Sequence, residues 1–425
     1  MRNSRTEQIN ITENRSHIIA AVPALLLCAV TLAILVLDTA VPAMSEKQYL
    51  LYPLLMRISS AVCLVCAADT LITGSSSILK TDAGRVLFLL FLFCIMISTV
   101  LNGFDRDALL GVQFRYIGVF DMITLIIAYK MCSSGINSTT LRKTVLISYM
   151  ALADLIAVVF IADWKTEMIN AFRSKNEPAA IFFHGNHYGY FLVIAVVICT
   201  GLFLCSSGIL RIISAVSVLL NLLALAMNRS MGCILAVAVV FTVSALYILI
   251  SGTVPRGRML IFIAAIVVLA LLLMLRSSDL REDIRQLLNE TLMLISGDGP
   301  SYIGHGRLAL WDYTIELIKE RPLAGYGCEG ITEILGDRFW YSDNPHNEVL
   351  TYTAYYGIPA AVFYTSAVIA TITKGLKSGD GISMIAATAA AAYFISSMFG
   401  VAMFYTLPFF FVMLGLADGQ IHAEE

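Results

Sequence analysis

A chain of 425 residues with 58% hydrophobic and only 14% charged residues falls short of the roughly 25% charged residues typical of a soluble domain. Too few charges are present to cover a soluble surface, so most of its solvent is lipid, and a net charge of −2 gives no footprint for nucleic acid. The nine cysteines lie mostly inside apolar runs, and Cys63-x-x-Cys66 lacks the second pair or histidine cluster that would complete a metal site.

The polar tail 1–16 carries Arg2, Arg5 and Arg15. An apolar run from about His17 to Leu37 follows, long enough for the roughly 20 residues that a bilayer requires. It exceeds the about 7–15 residues of a signal-peptide core and reads as a retained helix. Further runs lie at about Leu50–Thr73, Val86–Leu101, Gly111–Met131, Thr144–Ile161, Tyr188–Cys205, Ile209–Met227, Met231–Ile250, Met259–Leu275, Val349–Ile372, Ile382–Phe399 and Val401–Ala417. That makes about twelve, or eleven if the last two, which abut at Gly400, are one. The runs are long, rich in Leu, Ala and Ile, and do not alternate, unlike barrel strands of about 10 residues. No internal repeat is visible, which weakens an inverted-repeat transporter reading.

The predicted fold is therefore an all-α integral membrane protein. A cytoplasmic tail (1–16) precedes transmembrane helices one to nine (17–275). A large loop with amphipathic helices (276–347), helices ten to twelve (348–418) and a second cytoplasmic tail (419–425) follow. Placing the first tail in the cytoplasm gathers Arg2, Arg5, Arg15, Lys80, Arg85, Lys130, Arg142, Lys143, Arg211, Arg256, Arg258, Lys374 and Lys377 on that side. The opposite short loops receive Lys47, Arg106, Lys165, Arg173, Lys175 and Arg229, an asymmetry of about two to one that puts the long loop outside.

Within that loop, Asp279-Leu280-Arg281-Glu282 reads as a capped helix start, with Leu280, Ile284, Leu287, Leu288 and Thr291 then at helical spacing. Gly and Pro between Ser296 and Ser301 break it. A second amphipathic helix starts near Arg307, with Leu308, Trp311, Ile315 and Ile318 on one face and Asp312, Glu316 and Lys319 on the other; Pro322 ends it. A short irregular segment leads to His346. The two helices either roof a cavity or simply pack on the bundle.

Four residues stand out once this topology is set. Arg115 sits at the outer end of the fourth run, where a charge either snorkels or has a partner. Arg229 occupies a tight outer turn, as a turn residue or a ligand for an anion. Arg307 opens a helix just after Gly304 and Gly306, a setting that suits phosphate oxygens because the guanidinium fork binds them in pairs. His346, in a turn after Pro345, is the side chain best suited to proton transfer near neutral pH; Asp343 and Glu348 either orient it or are themselves the base. Arginines converging beside a possible base point to a large anionic lipid substrate. A diphosphate fits, because its departure builds charge that arginines stabilise. A second cluster, Phe182-Phe183-His184-Gly185-Asn186-His187-Tyr188-Gly189-Tyr190, lacks third and fourth metal ligands, and its aromatic residues read as an interfacial belt.

These residues resemble the O-antigen ligase and polymerase family of integral-membrane glycosyltransferases. The order Arg307-x-x-x-Trp311, then Pro322-Leu323-Ala324-Gly325-Tyr326-Gly327, then His346-Asn347 before a span is similar to the family pattern. Arg115-Tyr116-Ile117-Gly118 looks like its Arg-x-x-Gly element. Asn186 follows Gly185 where the family often has Pro-Asn, and Arg229 is flanked by Asn228 and Ser230 in place of a Ser-Arg-Gly element. The resemblance implies a GT-C-like protein of the bacterial cytoplasmic membrane that works without metal or cofactor. It would move a glycan from a polyprenyl (undecaprenyl) diphosphate donor to a glycan, lipid or protein acceptor at the outer face, with inversion. By the same resemblance Arg229 and Arg307 hold the diphosphate and His346 activates the acceptor hydroxyl, with Arg115, Asn186, Asn347 and Trp311 as substrate contacts. The signature does not separate ligases from polymerases. A lipid-linked oligosaccharide transporter, which would use charges within spans such as Arg57, Asp69, Asp121 and Asp154, and an envelope scaffold are the rival readings.

Overall fold

The computed structural model describes residues 2–40, 48–72, 83–112, 115–136, 138–166, 178–182, 184–251, 257, 260, 263–264, 266–267, 274–275, 277–296, 306–339 and 342–419. Most of them are helical, with no strand among the described residues. In chain order the helices are α1 (Arg2–Ala40), α2 (Gln48–Ile72), α3 (Ala83–Asn102), the short α4 (Arg106–Leu110), α5 (Val119–Ser134), α6 (Thr139–Thr166), α7 (Gly185–Cys205), α8 (Gly208–Asn228) and α9 (Met231–Ser251). Then come α10 (Ser278–Ser296), α11 (Arg307–Glu320), α12 (Gly327–Arg338), α13 (Glu348–Tyr356), α14 (Ile358–Lys377), α15 (Gly381–Ser397) and α16 (Leu407–Asp418).

Among the described residues eight helices are long and apolar enough to cross a membrane: α1, α2, α3, α6, α7, α8, α9 and α14. Three expected runs give shorter helices. The fourth gives the helix α5 from Val119, and at Gly111 (φ +80°) the backbone of Tyr116 and Ile117 presses in: a Cβ there would sit 2.2 Å from the Ile117 nitrogen. The last two are α15 and α16, and α16 begins only at Leu407. The tenth run is two helices, α13 and α14, broken at Gly357 (φ +89°), where a Cβ would lie 2.1 Å from the Leu323 carbonyl. The loop 321–326 wedges in at this break, and the Ile358 amide donates to the Pro322 carbonyl at 2.8 Å. The expected run Met259–Leu275 lies largely outside the described residues.

Helix α7 is the centre of the bundle. Its span is 78% buried, the highest of the eight, and it packs on α6, α8, α9 and α15. Leu, Ile, Val and Ala on its entire circumference explain this, since a helix that is apolar all round is stable when surrounded. Phe182, Tyr188 and Tyr190 are at most 1% exposed, so they are core residues rather than the interfacial belt expected from sequence. Phe182 stacks on Tyr188, Phe160 and Phe191 pack against that pair, and Tyr190 meets Tyr393 edge-on.

At the far end of the bundle from the start of α7, Arg142 is fully buried. Its guanidinium donates to Asp380 (2.9 Å), to the Ser383 hydroxyl (2.7 Å) and to the Leu416 carbonyl, joining α6, α15 and α16. Removing one member of such a set leaves polar groups without compensation. Arg142→Met is expected to cost about 3 kcal/mol, read as a lower melting temperature in detergent without loss of insertion.

Candidate functional site

The site grows from the opposite end of the bundle, where α7 starts and α8 turns into α9. Arg229 caps α8 in the left-handed conformation (φ +60°), which costs a non-glycine residue about 1–2 kcal/mol. Buried Asn228 holds the turn in place. Its amide donates to the carbonyls of Pro178 (2.7 Å) and Gly185 (2.8 Å). Ser230 donates its hydroxyl to Asn186 Oδ1 at 3.0 Å. These bonds explain why Asn228 and Ser230 flank Arg229: they fasten it to the first turn of α7.

A cavity of about 720 Å³ opens beside this turn. Its walls are His184, Asn186 and Tyr190 from the start of α7, Arg229 and Ser230 from the turn, and Met231 and Leu235 from α9. Asp283, Gln286, Leu287, Glu290 and Thr291 of α10 and Arg307, Leu308 and Trp311 of α11 close it, with Phe399 beyond. Polar groups therefore share the space with an apolar side made by Met231, Leu235, Leu287, Leu308 and Phe399. A second cavity of about 320 Å³ lies against Asp105, Glu329 and Glu333. Its acidic lining suits it poorly to an anionic ligand.

Sequence periodicity assigned the faces of both roof helices differently. In α11 the buried face is Leu310, Thr314, Leu317 and Ile318, whereas Ile315 is exposed and Leu308 and Trp311 turn to the cavity. In α10 only Leu280 of the expected apolar stripe is buried, while Leu288 is exposed. The cap of α10 is Ser277, whose hydroxyl accepts from the Leu280 amide at 3.1 Å, and not Asp279. Helix α12 lies within the segment expected to be irregular.

The two cavity arginines differ. Arg229 is held in a fork by Asp283, Nε to Oδ2 at 2.6 Å and Nη2 to Oδ1 at 2.8 Å, with Asp279 at 3.3 Å from Nη1. Arg307 follows Gly306 (φ +80°) at the start of α11 and has no ion-pair partner among the described residues. Burial holds its guanidinium below the ordinary value, and the neighbouring Tyr190 and Glu290 oppose that shift.

His346 occupies a left-handed turn (φ +53°) shaped by the buried Asn344, whose Oδ1 accepts from the His346 amide at 3.0 Å and the Thr351 hydroxyl at 3.1 Å. The histidine is not on the cavity lining. Trp311 is, and its indole N–H donates to the Pro345 carbonyl at 2.8 Å, one residue before the histidine. Burial pushes the imidazole down to about 3, with Arg307, Arg115 and His184 adding to the shift. It is neutral at physiological pH, and its Nδ1 has no hydrogen-bond partner among the described residues. Trp311→Phe keeps the cavity wall and removes the tether to this turn; with a hydrogen bond worth about 1 kcal/mol, turnover is expected to fall roughly fivefold with little change in expression.

Arg115 pairs with Asp343 and lines a small pocket with Asn344 and Tyr355, away from the main cavity but close enough for its charge to act on His346. Asn347 caps α13, its Oδ1 accepting from the Leu350 amide at 3.0 Å. Glu348 is fully buried and accepts the Tyr364 hydroxyl. Thus Asn186, Arg229, Arg307 and Trp311 share one cavity, His346 adjoins it, and Arg115 and Asn347 shape the loop that carries His346. No group of three or more His, Cys, Asp or Glu residues able to hold a metal occurs among the described residues. Sequence reasoning missed Asp283 and Glu290, although their spacing of two helical turns was readable. It weighed His184 only as a metal ligand, whereas its Nδ1 caps α7 by accepting from the Asn186 amide at 3.2 Å.

Residues 216–365 match the family model described as O-antigen ligase. The matched segment includes Arg229, Arg307, Trp311, His346 and Asn347, and leaves Arg115 and Asn186 upstream. No curated protein sequence matches the chain.

Proposed function

We propose that this membrane protein, whose residues 216–365 carry the O-antigen ligase signature, moves a glycan from a polyprenyl (undecaprenyl) diphosphate carrier to an acceptor hydroxyl. The reaction takes place at the outer face of the bacterial cytoplasmic membrane, with both tails in the cytoplasm. The observation that carries this reading is the placement of Arg229 and Arg307 on two walls of one half-apolar cavity, next to a neutral histidine whose Nδ1 has no partner among the described residues.

His346 accepts the proton of the acceptor hydroxyl as its oxygen bonds to the anomeric carbon. The bond from that carbon to the diphosphate oxygen breaks, and the leaving diphosphate keeps the electron pair, its negative charge stabilised by the arginines. One displacement inverts the anomeric centre. The arginines supply the positive charge that the leaving group needs, so the chemistry requires no metal or cofactor. Burial, and then the charges of Arg307 and Arg115, disfavour a protonated His346. A bound diphosphate offsets those cations and raises the basicity of the histidine, so the base becomes competent when the donor is seated.

Polymerisation, with a second lipid-linked glycan as acceptor, uses the same residues. Transport is less well supported, because the four charges expected within spans have local partners. Arg57 donates to the Leu110 carbonyl (2.6 Å) and Asp69 pairs with Arg15 (3.5 Å). Asp121 accepts from the Gly118 amide (3.1 Å), and Asp154 accepts from Ser217 and from Asn221 (2.7 Å). Proteoliposomes carrying the donor and an acceptor separate the two classes. A covalent glycan–acceptor product is expected; donor movement between leaflets with no product supports transport instead.

A further inference from the structure

Helix α10 faces the cavity with its polar side. Asp283, Gln286, Leu287, Glu290 and Thr291 line it, spaced 3, 4, 7 and 8 residues from the first, which places them on one helical stripe. Leu288, Leu292 and Ile295 on another stripe are exposed by 58%, 64% and 78%. The helix thus turns acids inward and leaves part of its apolar surface outside, the reverse of a helix that simply packs on a bundle. Asp283 meets Arg229 directly, whereas Glu290 lines the same cavity as Arg307 without an ion pair to it among the described residues. Asp283 holds Arg229 in a two-bond fork, and Glu290 acts electrostatically on Arg307 from two turns further along, about 10 Å on an α-helix. Gln286 donates to Glu290 at 2.7 Å and steadies it.

This arrangement has a cost for any ligand. An Arg–carboxylate fork is among the stronger charge-assisted pairs, so an anion reaches Arg229 only by displacing Asp283. A bilayer surrounds such a site with phosphodiester head groups, each with one negative charge. An open arginine pair would be filled by them.

We propose that Asp283 and Glu290 form a counter-charge filter on the cavity arginines. They exclude singly charged phosphodiesters and yield to a ligand bearing two or more negative charges on adjacent phosphates. The filter rests on the reading above that the site takes a diphosphate, and it makes Asp283 the specificity-determining residue of that site. When a diphosphate enters, its oxygens take the fork on Arg229 and the Asp283 carboxylate turns to water. Asp279, 64% exposed at its side chain, remains the outer partner of the guanidinium.

The test uses the full chain in nanodiscs and inorganic pyrophosphate as the probe, with binding measured by calorimetry in zwitterionic lipid and in lipid rich in phosphatidylglycerol. Asp283→Asn keeps the shape of the side chain and removes its charge. Wild type is expected to bind pyrophosphate equally in both lipids. Asp283→Asn is expected to bind it roughly tenfold more tightly in zwitterionic lipid, having lost its internal competitor, and to lose that gain in phosphatidylglycerol. Adding Glu290→Gln is expected to extend both effects. Unchanged or weaker pyrophosphate binding by Asp283→Asn, the same lipid dependence in both proteins, or no pyrophosphate binding by either would overturn the filter. Because binding is read without turnover, failure of the filter is distinct from failure of the transfer reaction: a wild type that transfers glycan while Asp283→Asn behaves as wild type in every lipid contradicts only the filter.

Discussion

Arg307→Ala is expected to reduce glycan transfer by about a thousandfold while the protein still inserts and elutes as a single species. Losing one preorganised donor to a developing anion typically costs about 10²–10³ in turnover. Arg307 is the stronger case of the two arginines, because it has no ion-pair partner among the described residues and Arg229 already has one. Its side chain faces the cavity at a helix start, where the local dipole also favours anions. Arg307→Lys restores charge without the planar fork and is expected to recover only part of the rate. Transfer rates measured beside a size-exclusion profile decide the matter. Activity of Arg307→Ala within fivefold of wild type would remove Arg307 from the chemistry.

His346→Ala is expected to lower transfer by a similar factor, since general-base catalysis contributes about 10²–10⁴. A pH profile says more than the loss alone. In the free site the imidazole stays neutral down to about pH 3, so the acid limb of kcat/KM assigned to this base lies well below 6.5. With donor bound, the diphosphate offsets Arg307 and Arg115, and the acid limb of kcat moves toward neutrality. Arg307→Gln is expected to raise the kcat/KM limb, because it removes one of the cations that disfavour protonation. The same group affects stability. The folded protein holds this site unprotonated while the unfolded chain binds a proton there below about pH 6.5, so stability falls as pH drops from 6.5 toward 3. His346→Gln is expected to flatten that part of the melting-temperature profile. A free-enzyme limb at the usual histidine position, unmoved by Arg307→Gln, would contradict the environment assigned to His346.

Spans were legible where a run was both apolar and uninterrupted, as in α7, α8 and α9. They were misjudged where a glycine with positive φ lets another segment press against the backbone. Gly357 carries the Leu323 carbonyl at a distance that no Cβ permits, and apolar neighbours on both sides concealed the break. Of the candidate site, the grouping of Asn186, Arg229, Arg307 and Trp311 in one cavity was legible, because arginine is scarce in an apolar chain. Its fine assignment was not. Asn347 is part of a motif yet spends its carbonyl oxygen on a helix cap, and Arg115 meets Asp343 from a distant part of the chain. The inward acids of α10 were missed because that helix was read by its apolar spacing alone. Around a polar cavity the helix turns its polar side inward.

The most direct measurement incubates purified protein with a polyprenyl-diphosphate-linked oligosaccharide and a panel of hydroxyl acceptors in the presence of EDTA, and reads the products by mass spectrometry. The account predicts a glycan joined to one acceptor with wild type and none with His346→Ala or Arg307→Ala, and the product mass separates a ligase from a polymerase. Equal product from wild type and both variants, or product from wild type only when a divalent cation is restored, would contradict it.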